Sequence, residues 1–176
     1  MIDMSFVNQV NELSEQTIQL CYHCHKCTAG CPVADEMTYG PDRVLRMVHF
    51  GDKERLLTSH DIWVCASCET CGTRCPNEID IARVMDALRQ LAVAEGAAIA
   101  EPDAIKFHRL FLFLIQNMGR MHEASLMGIY LLWTMDFMDY VGVGPKMFFK
   151  GKVPLFPHRI KGRGEVKRIF KATEQV

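Results

Sequence analysis

The sequence predicts a mainly α-helical protein built around two cysteine-rich loops. Apolar residues recur at intervals of three and four along several segments, which is the spacing of a helix with one buried face. No stretch keeps the alternation of apolar and polar residues that is typical of strands, and no Asn-Gly or Asp-Gly pair marks a hairpin. Eight cysteines fall into two matching groups. We therefore expect helices and loops rather than a sheet.

The first expected helix covers residues 5–20, where Phe6, Val10, Leu13 and Thr17 or Leu20 share one face among Asn, Glu and Gln residues. Pro41 then predicts the first turn of a short helix that stops at Gly51, because proline suits a first turn and glycine a helix end. Another short helix is expected at about residues 52–58.

The clearest helical pattern follows the second group of cysteines. Asp80 is the expected N-cap and Gly96 the expected stop. The apolar face between them consists of Ile81, Val84, Met85, Leu88, Leu91 and Ala92. Residues 97–103 form the predicted boundary, so we expect a first domain at residues 1–96. Residues 97–176 would be an apolar helical module with a basic tail, used for docking to another subunit.

Composition and charge narrow the class of protein. Of 176 residues, 49% are apolar and 23% charged, which is typical of a globular chain. The formal net charge of −1 hides an uneven distribution, because residues 145–176 hold nine Lys or Arg and two Asp or Glu. Such a tail suits an acidic protein, an anionic membrane or a nucleic acid, and charge alone does not choose among them.

The sequence gives no sign of export or membrane insertion. Its first residues lack the basic start and apolar run of a secretory signal, so we expect a cytoplasmic protein. The longest uncharged apolar stretch of the C-terminal half, residues 124–135, has twelve residues, whereas a membrane helix needs about 20. We expect no transmembrane segment.

The cysteines form two copies of a Cys-x2-Cys-x2-Cys-x3-Cys-Pro motif, 44 residues apart. All eight are used, and the two sets are Cys21, Cys24, Cys27 and Cys31, and Cys65, Cys68, Cys71 and Cys75. Three thiolates at this spacing let one loop bind three irons of a 4Fe-4S cubane, and in two-cluster ferredoxins the fourth cysteine ligates the other cluster.

We therefore expect two 4Fe-4S clusters with crossed ligation. One cluster would use Cys21, Cys24, Cys27 and Cys75, and the other Cys65, Cys68, Cys71 and Cys31. Zinc and disulfides are the alternatives, but zinc sites usually pair two Cys-x-x-Cys turns rather than repeat three even spacings and Cys-Pro. His23 and His25 are surplus to such ligation, and Trp63 is expected to pack over a cluster.

The motifs resemble the α-helical ferredoxin domain over about residues 5–96. The resemblance includes the Asp61-Ile62-Trp63 segment before the second motif and the Ile79-Asp80-Ile81 segment after it. Within that group, the chain is similar to the small iron-sulfur subunit, designated C, of heterodisulfide reductases. Weaker similarity continues around Phe107-His108-Arg109, Gly119-Arg120, Lys150-Gly151-Lys152 and Ile160-Lys161-Gly162.

That resemblance implies an electron-transfer subunit of a larger oxidoreductase. Its partners would be a CCG-domain catalytic subunit and a flavin-containing iron-sulfur subunit, with no nucleic acid. Every cysteine is committed to a cluster, so none remains as a catalytic nucleophile and no catalytic residue is expected on this chain. The alternatives are a freely diffusing ferredoxin-like carrier and a zinc-binding adaptor whose tail contacts phosphates.

Overall fold

A computed structural model describes residues 3–134, 147, 150 and 160–173. The chain divides into two compact units, Met1–Glu101 and Pro102–Val176. The described residues of both units form helices, turns and loops without strands, so the predicted mainly α-helical class is confirmed.

The first unit contains seven α-helices among its described residues, several of them only one turn long. They are α1 (Met4–Ser14), α2 (Lys26–Ala29), α3 (Pro41–His49), α4 (Lys53–Leu57), α5 (Asp61–Val64), α6 (Thr70–Thr73) and α7 (Ile81–Ala94). Two 3-10 turns lie at Ile18–Leu20 and Ala34–Glu36. Helix α7 packs against α1, α4 and α5, and α2 packs against both α3 and α6.

Helix α1 is shorter than the sequence predicts. Its start is capped by Asp3, whose carboxylate accepts hydrogen bonds from the amides of Ser5 and Phe6. It ends where Glu15 takes a left-handed conformation with φ of 55°. The Asn11 side chain then accepts from the amide of Ile18 at 3.2 Å, which holds the chain in its turn before the first motif. The expectation of helix up to residue 20 was therefore wrong beyond Ser14.

The other predicted helices of this unit are confirmed. Pro41 opens α3, and α4 occupies most of residues 52–58. Asp80 caps α7 by accepting from the amide of Arg83 at 3.2 Å. Gly96 follows α7 with φ of 64°, a left-handed conformation that suits glycine and ends the helix.

One hydrophobic core joins the helices of the first unit. Ile18 and Ile62, 44 residues apart, precede the two motifs and are both fully buried. Around them pack side chains from α1, α3, α4 and α7, including Phe6, Val10, Val44, Leu45, Leu56, Met85 and Leu88. The cysteine loops are thus anchored at equivalent points to a shared interior.

The second unit contains α8 (Pro102–Met118), α9 (Glu123–Thr134) and α10 (Arg163–Thr173). Its small core consists of Leu110, Leu114 and Leu126. Within the described ranges, no helix is long and apolar enough to cross a bilayer. The uncharged apolar stretch of residues 124–135 extends one residue beyond the described Thr134, and much of the basic tail also lies outside the described part.

Candidate metal centre

The two cysteine loops have the same local backbone. Helix α6 is the counterpart of α2 at the 44-residue offset, and each one-turn helix carries the third cysteine of its motif. The amide of Cys31 donates to the carbonyl of Thr28 at 3.1 Å, and that of Cys75 donates to the carbonyl of Gly72 at 3.0 Å. The sequence repeat is therefore also a structural repeat.

Left-handed residues shape both loops. His23 and His25 have φ of 58° and 62°, and their counterparts Ser67 and Glu69 have 49° and 59°. Such conformations in residues other than glycine cost roughly 1–3 kcal/mol each, and they persist where the surrounding structure requires them. Here they alternate with the cysteines and bend each loop around a central space.

The eight predicted ligands differ in exposure in the same way in both copies. Cys27 and Cys71 are buried, Cys24 and Cys68 are exposed, and the other four are intermediate. All eight are free thiols in the structure, and no disulfide joins them. Each loop thus turns its third cysteine toward the core and its second toward solvent.

This difference in exposure also separates the acidities of the thiols. Burial raises the pKa of both Cys27 and Cys71 to about 11. A hydrogen bond with the Thr70 hydroxyl instead lowers the pKa of Cys68. Since metal binding requires thiolates, the two buried cysteines must release protons when they bind iron.

A cavity brings together one of the two predicted ligand sets. Its walls include the three cysteines of the second loop, Cys65, Cys68 and Cys71, and also Cys31 from the first motif. It contains about 350 Å³ of empty space, part of it open to solvent. The rest of its lining is mainly apolar and includes Met37, Pro41, Ile81 and Met85. Four thiols around an apolar space fit an iron-sulfur cluster.

The other predicted set joins the start of the first motif to the end of the second. The Asn77 side chain, two residues after Cys75, donates a hydrogen bond to the Leu20 carbonyl, just before Cys21. Burial raises the pKa of Cys21, and the neighbouring charges of Cys75 and Cys24 raise it further. Cys75 is therefore close to the first loop although it belongs to the second motif. Cys27 projects from α2, which packs against α6 and its Cys71.

Asp42 stabilises the first loop, a role that its sequence position did not suggest. Its carboxylate accepts a hydrogen bond from the Thr28 hydroxyl and bonds to His25 Nδ1 at 2.7 Å. The Asp42 amide in turn donates to Thr28 Oγ1 at 3.1 Å. Burial opposes ionisation of Asp42, but the bonds from Thr28 and His25 outweigh it, so the pKa is lowered.

Arg89 stabilises the second loop in a different way. From α7, its Nε donates to the Ile62 carbonyl at 2.6 Å and its Nη2 to the Cys65 carbonyl at 2.5 Å. Its Nη1 contacts Ser67 Oγ at 3.4 Å and Asp86 at 2.8 Å. Sequence reasoning missed Arg89 as well, because its partners lie up to 27 residues away and no local motif links them.

Two side chains near the motifs that are not predicted ligands, His23 and Trp63, pack beside the cysteine loops. His23 Nδ1 lies 3.8 Å from Cys21 Sγ, and burial followed by the charges of Arg46 and His49 lowers the pKa of His23. Trp63 packs against the core that contains Cys27 and Cys71, and its position over a cluster stays a prediction. Among the described residues, no three His, Cys, Asp or Glu side chains converge on a point that a single metal ion would occupy.

Comparison with known proteins identifies the cysteine-rich segment. Residues 20–80 match the family model described as a 4Fe-4S dicluster domain, and this range contains all eight cysteines. The match supports iron-sulfur clusters as the group bound at these loops.

Curated relatives extend the similarity, and three of them are iron-sulfur or reductase subunits designated C. The chain is 35% identical over 103 residues to a CoB--CoM heterodisulfide reductase iron-sulfur subunit of Methanocaldococcus jannaschii, covering 54% of this chain and 55% of that protein. It is 29% identical over 126 residues to the equivalent subunit of Methanopyrus kandleri, covering 67% and 62%. It is 26% identical over 173 residues to a subunit of the H(2):CoB-CoM heterodisulfide,ferredoxin reductase of Methanothermobacter marburgensis, covering 98% and 83%.

These relatives confirm the resemblance that the motifs indicate. The chain is similar to heterodisulfide reductase iron-sulfur subunits designated C, and its residues 20–80 match a 4Fe-4S dicluster domain. It spans little more than half the length of the first of these relatives.

Proposed function

We propose that this chain is an electron-transfer subunit of a heterodisulfide reductase-like complex. In this role it relays electrons between a flavin-containing subunit and a CCG-domain catalytic subunit, through two 4Fe-4S clusters. The relatives are named as reductase subunits, which supports an electron-transfer role. The substrate reaction belongs to another chain, because all eight cysteines here serve as cluster ligands.

The observation that carries the proposal is the cavity lined by Cys31 together with Cys65, Cys68 and Cys71. This is the mixed set that crossed ligation requires. The hydrogen bond from Asn77, two residues after Cys75, to the Leu20 carbonyl supports the reciprocal set. Bound cubanes would each accept and release one electron. The chain's own residues hold the thiolates, keep water from the buried ones and fix the distance between the two loops.

The buried cysteines support transfer within the chain. Cys27 and Cys71 belong to one continuous core, and α2 packs directly against α6. The third cysteine of each loop therefore lies in an interior that the two loops share, and it would hold its cluster from that side. The exposed Cys24 and Cys68 lie on the solvent side of their loops, where redox partners would approach.

Docking to the partner subunits is assigned to residues 97–176. Within the described part of that segment, large apolar side chains of α8 and α9 face solvent, including Leu112, Phe113, Leu132 and Trp133. Leu132 is 68% exposed. A subunit interface would cover such a surface. Helix α10 adds the basic residues Arg163, Lys167, Arg168 and Lys171, which suit an acidic protein partner.

Metal analysis of the anaerobically purified chain tests the cofactor. We expect a brown protein with about eight iron and eight sulfide per chain, as two cubanes need. Zinc near two per chain with no sulfide would instead support the adaptor. A cluster-loaded protein that never copurifies with other chains would support the free carrier.

Docking is tested separately from cluster binding. Residues 141–176 are deleted in one variant and residues 104–176 in another, and copurification of the partner subunits and iron content are measured for each. A third variant, Leu132→Glu with Trp133→Glu, keeps the chain at full length, and Leu13→Glu on α1 is its matched control, since Leu13 is also exposed. Retained clusters with lost partners support the assignment. Full assembly by the longer deletion defeats it.

A further inference from the structure

Residue 89 is one of the charged positions at which the two halves of the repeat differ. Arg89 on α7 contacts the second loop, and the residue 44 positions earlier is Leu45, which is buried in the core. In the first half, the Ile18 carbonyl accepts from the amide of Cys21 at 3.0 Å, within a backbone turn. In the second half, the equivalent Ile62 carbonyl accepts from Arg89 Nε at 2.6 Å. A side chain has thus replaced a backbone hydrogen bond.

The position of Arg89 gives its charge an electrostatic role. The Arg89 side chain is only 16% exposed. It contacts the start of the second loop through the carbonyls of Ile62 and Cys65 and the Ser67 hydroxyl. Its acidic partner, Asp86, is 53% exposed. The positive charge is therefore sheltered beside the loop, while the compensating negative charge is largely screened by water.

We infer that Arg89 is the positioning residue of the second loop and sets the reduction potential of the cluster that Cys65, Cys68, Cys71 and Cys31 hold. This inference rests on the proposed function. Reduction adds one negative charge to the cluster, and a fixed positive charge nearby stabilises that state. Arg89 therefore raises the potential of this cluster, and its fork-shaped contacts with two carbonyls keep the loop at a constant distance from the charge.

The test is a potentiometric titration of the anaerobic, cluster-loaded chain, followed by electron paramagnetic resonance. Signals are assigned to the two clusters from the spectra of Cys24→Ser and Cys68→Ser. We expect Arg89→Gln to lower the potential of the second cluster by about a tenfold change in its reduction equilibrium constant, about 59 mV for one electron. Arg89→Lys retains the charge and should retain most of the potential.

Two further variants control this experiment. Asp86→Asn removes the opposing charge, which water already largely screens, so it should shift the same potential in the opposite direction by a smaller amount. It decides the question if Arg89→Gln does not load clusters. Arg55→Gln removes an equal charge whose hydrogen bonds are to Asp52 and Tyr39, and it should leave both potentials unchanged. The inference would be overturned if both clusters are intact and neither Arg89→Gln nor Asp86→Asn changes their potentials. A shift confined to the first cluster would also overturn it. Absence of cubane signals from the unmodified chain would refute the proposed function itself.

Discussion

The substitution Asp42→Asn tests how the first loop is held. Asparagine has nearly the same shape as aspartate but removes the negative charge that bonds to both Thr28 and His25. The Asp42 side chain is 9% exposed, so water cannot easily replace those partners. We expect the variant to release its first cluster faster than the unmodified chain and to release its second cluster at an unchanged rate.

The size of the effect follows from the bonds that change. A hydrogen bond to a charged group contributes about 1.5–3 kcal/mol, against about 0.5–1.5 kcal/mol for a neutral one. The Thr28 hydroxyl can still donate to the asparagine carbonyl, and the His25 side chain is 67% exposed, which weakens its share. The net loss should be about 1–2 kcal/mol, which corresponds to about a 5–30-fold change in rate or equilibrium constant.

The assay is the rate of cluster release into an iron chelator, followed by visible absorbance under anaerobic conditions. A rate is the suitable quantity because loss of the cluster makes unfolding irreversible. Thr28→Val should produce a similar acceleration, and the double variant should be only slightly worse than either single one, since both act on one hydrogen-bonded group. Asp35→Asn is the control, because Asp35 is an exposed acidic residue near the same motif.

Release rates for Asp42→Asn within a factor of two of the unmodified chain would refute this reasoning. Equal acceleration at both clusters would also refute it, because the contacts of Asp42 are confined to the first loop.

Three other perturbations test the ligation, the core and a helix cap. Cys31→Ser should alter the spectrum of the cluster held by Cys65, Cys68 and Cys71, and Cys75→Ser should alter the other one; damage confined to each variant's own loop would mean local ligation. Ile62→Ala should destabilise the first unit by about 2–4 kcal/mol, because it leaves a cavity at a fully buried position, and this should appear as faster unfolding in denaturant. The exposed Leu20→Ala is its control, and equal effects of the two would contradict the shared core. Asp80→Ala should cost about 1 kcal/mol in the same assay, since the amide of Arg83 loses its cap, and no loss of stability would mean that the cap is replaced by water.

The sequence predicts those features of the fold that depend on short-range chemistry. Pro41, Asp80 and Gly96 act within one turn of their own positions, so the bounds of α3 and α7 follow from them. The end of α1 could not be predicted in the same way. It depends on the left-handed Glu15 and on a contact from Asn11 to Ile18, neither of which has a strong local signature.

The same distinction applies to the candidate site. Cysteine spacing predicts the ligands, and the expected grouping of Cys31 with the second loop agrees with the lining of the cavity. Asp42 and Arg89 were missed because each reads locally as an ordinary helical residue. Their partners are 14 to 27 residues away in sequence and become neighbours only when the helices pack.

The contrast between inner and outer cysteines has a consequence for the durability of the proposed clusters. Oxygen, peroxide and chelators meet the exposed Cys24 and Cys68 first, while Cys27 and Cys71 remain enclosed. Oxidative loss of iron would therefore start at the two exposed cysteines, one in each loop, before it reaches the buried ones. A partner subunit bound over one of these exposed cysteines would protect that cluster from oxidants as well as exchange electrons with it. The isolated chain should therefore lose its clusters faster in air than the same chain in its assembly.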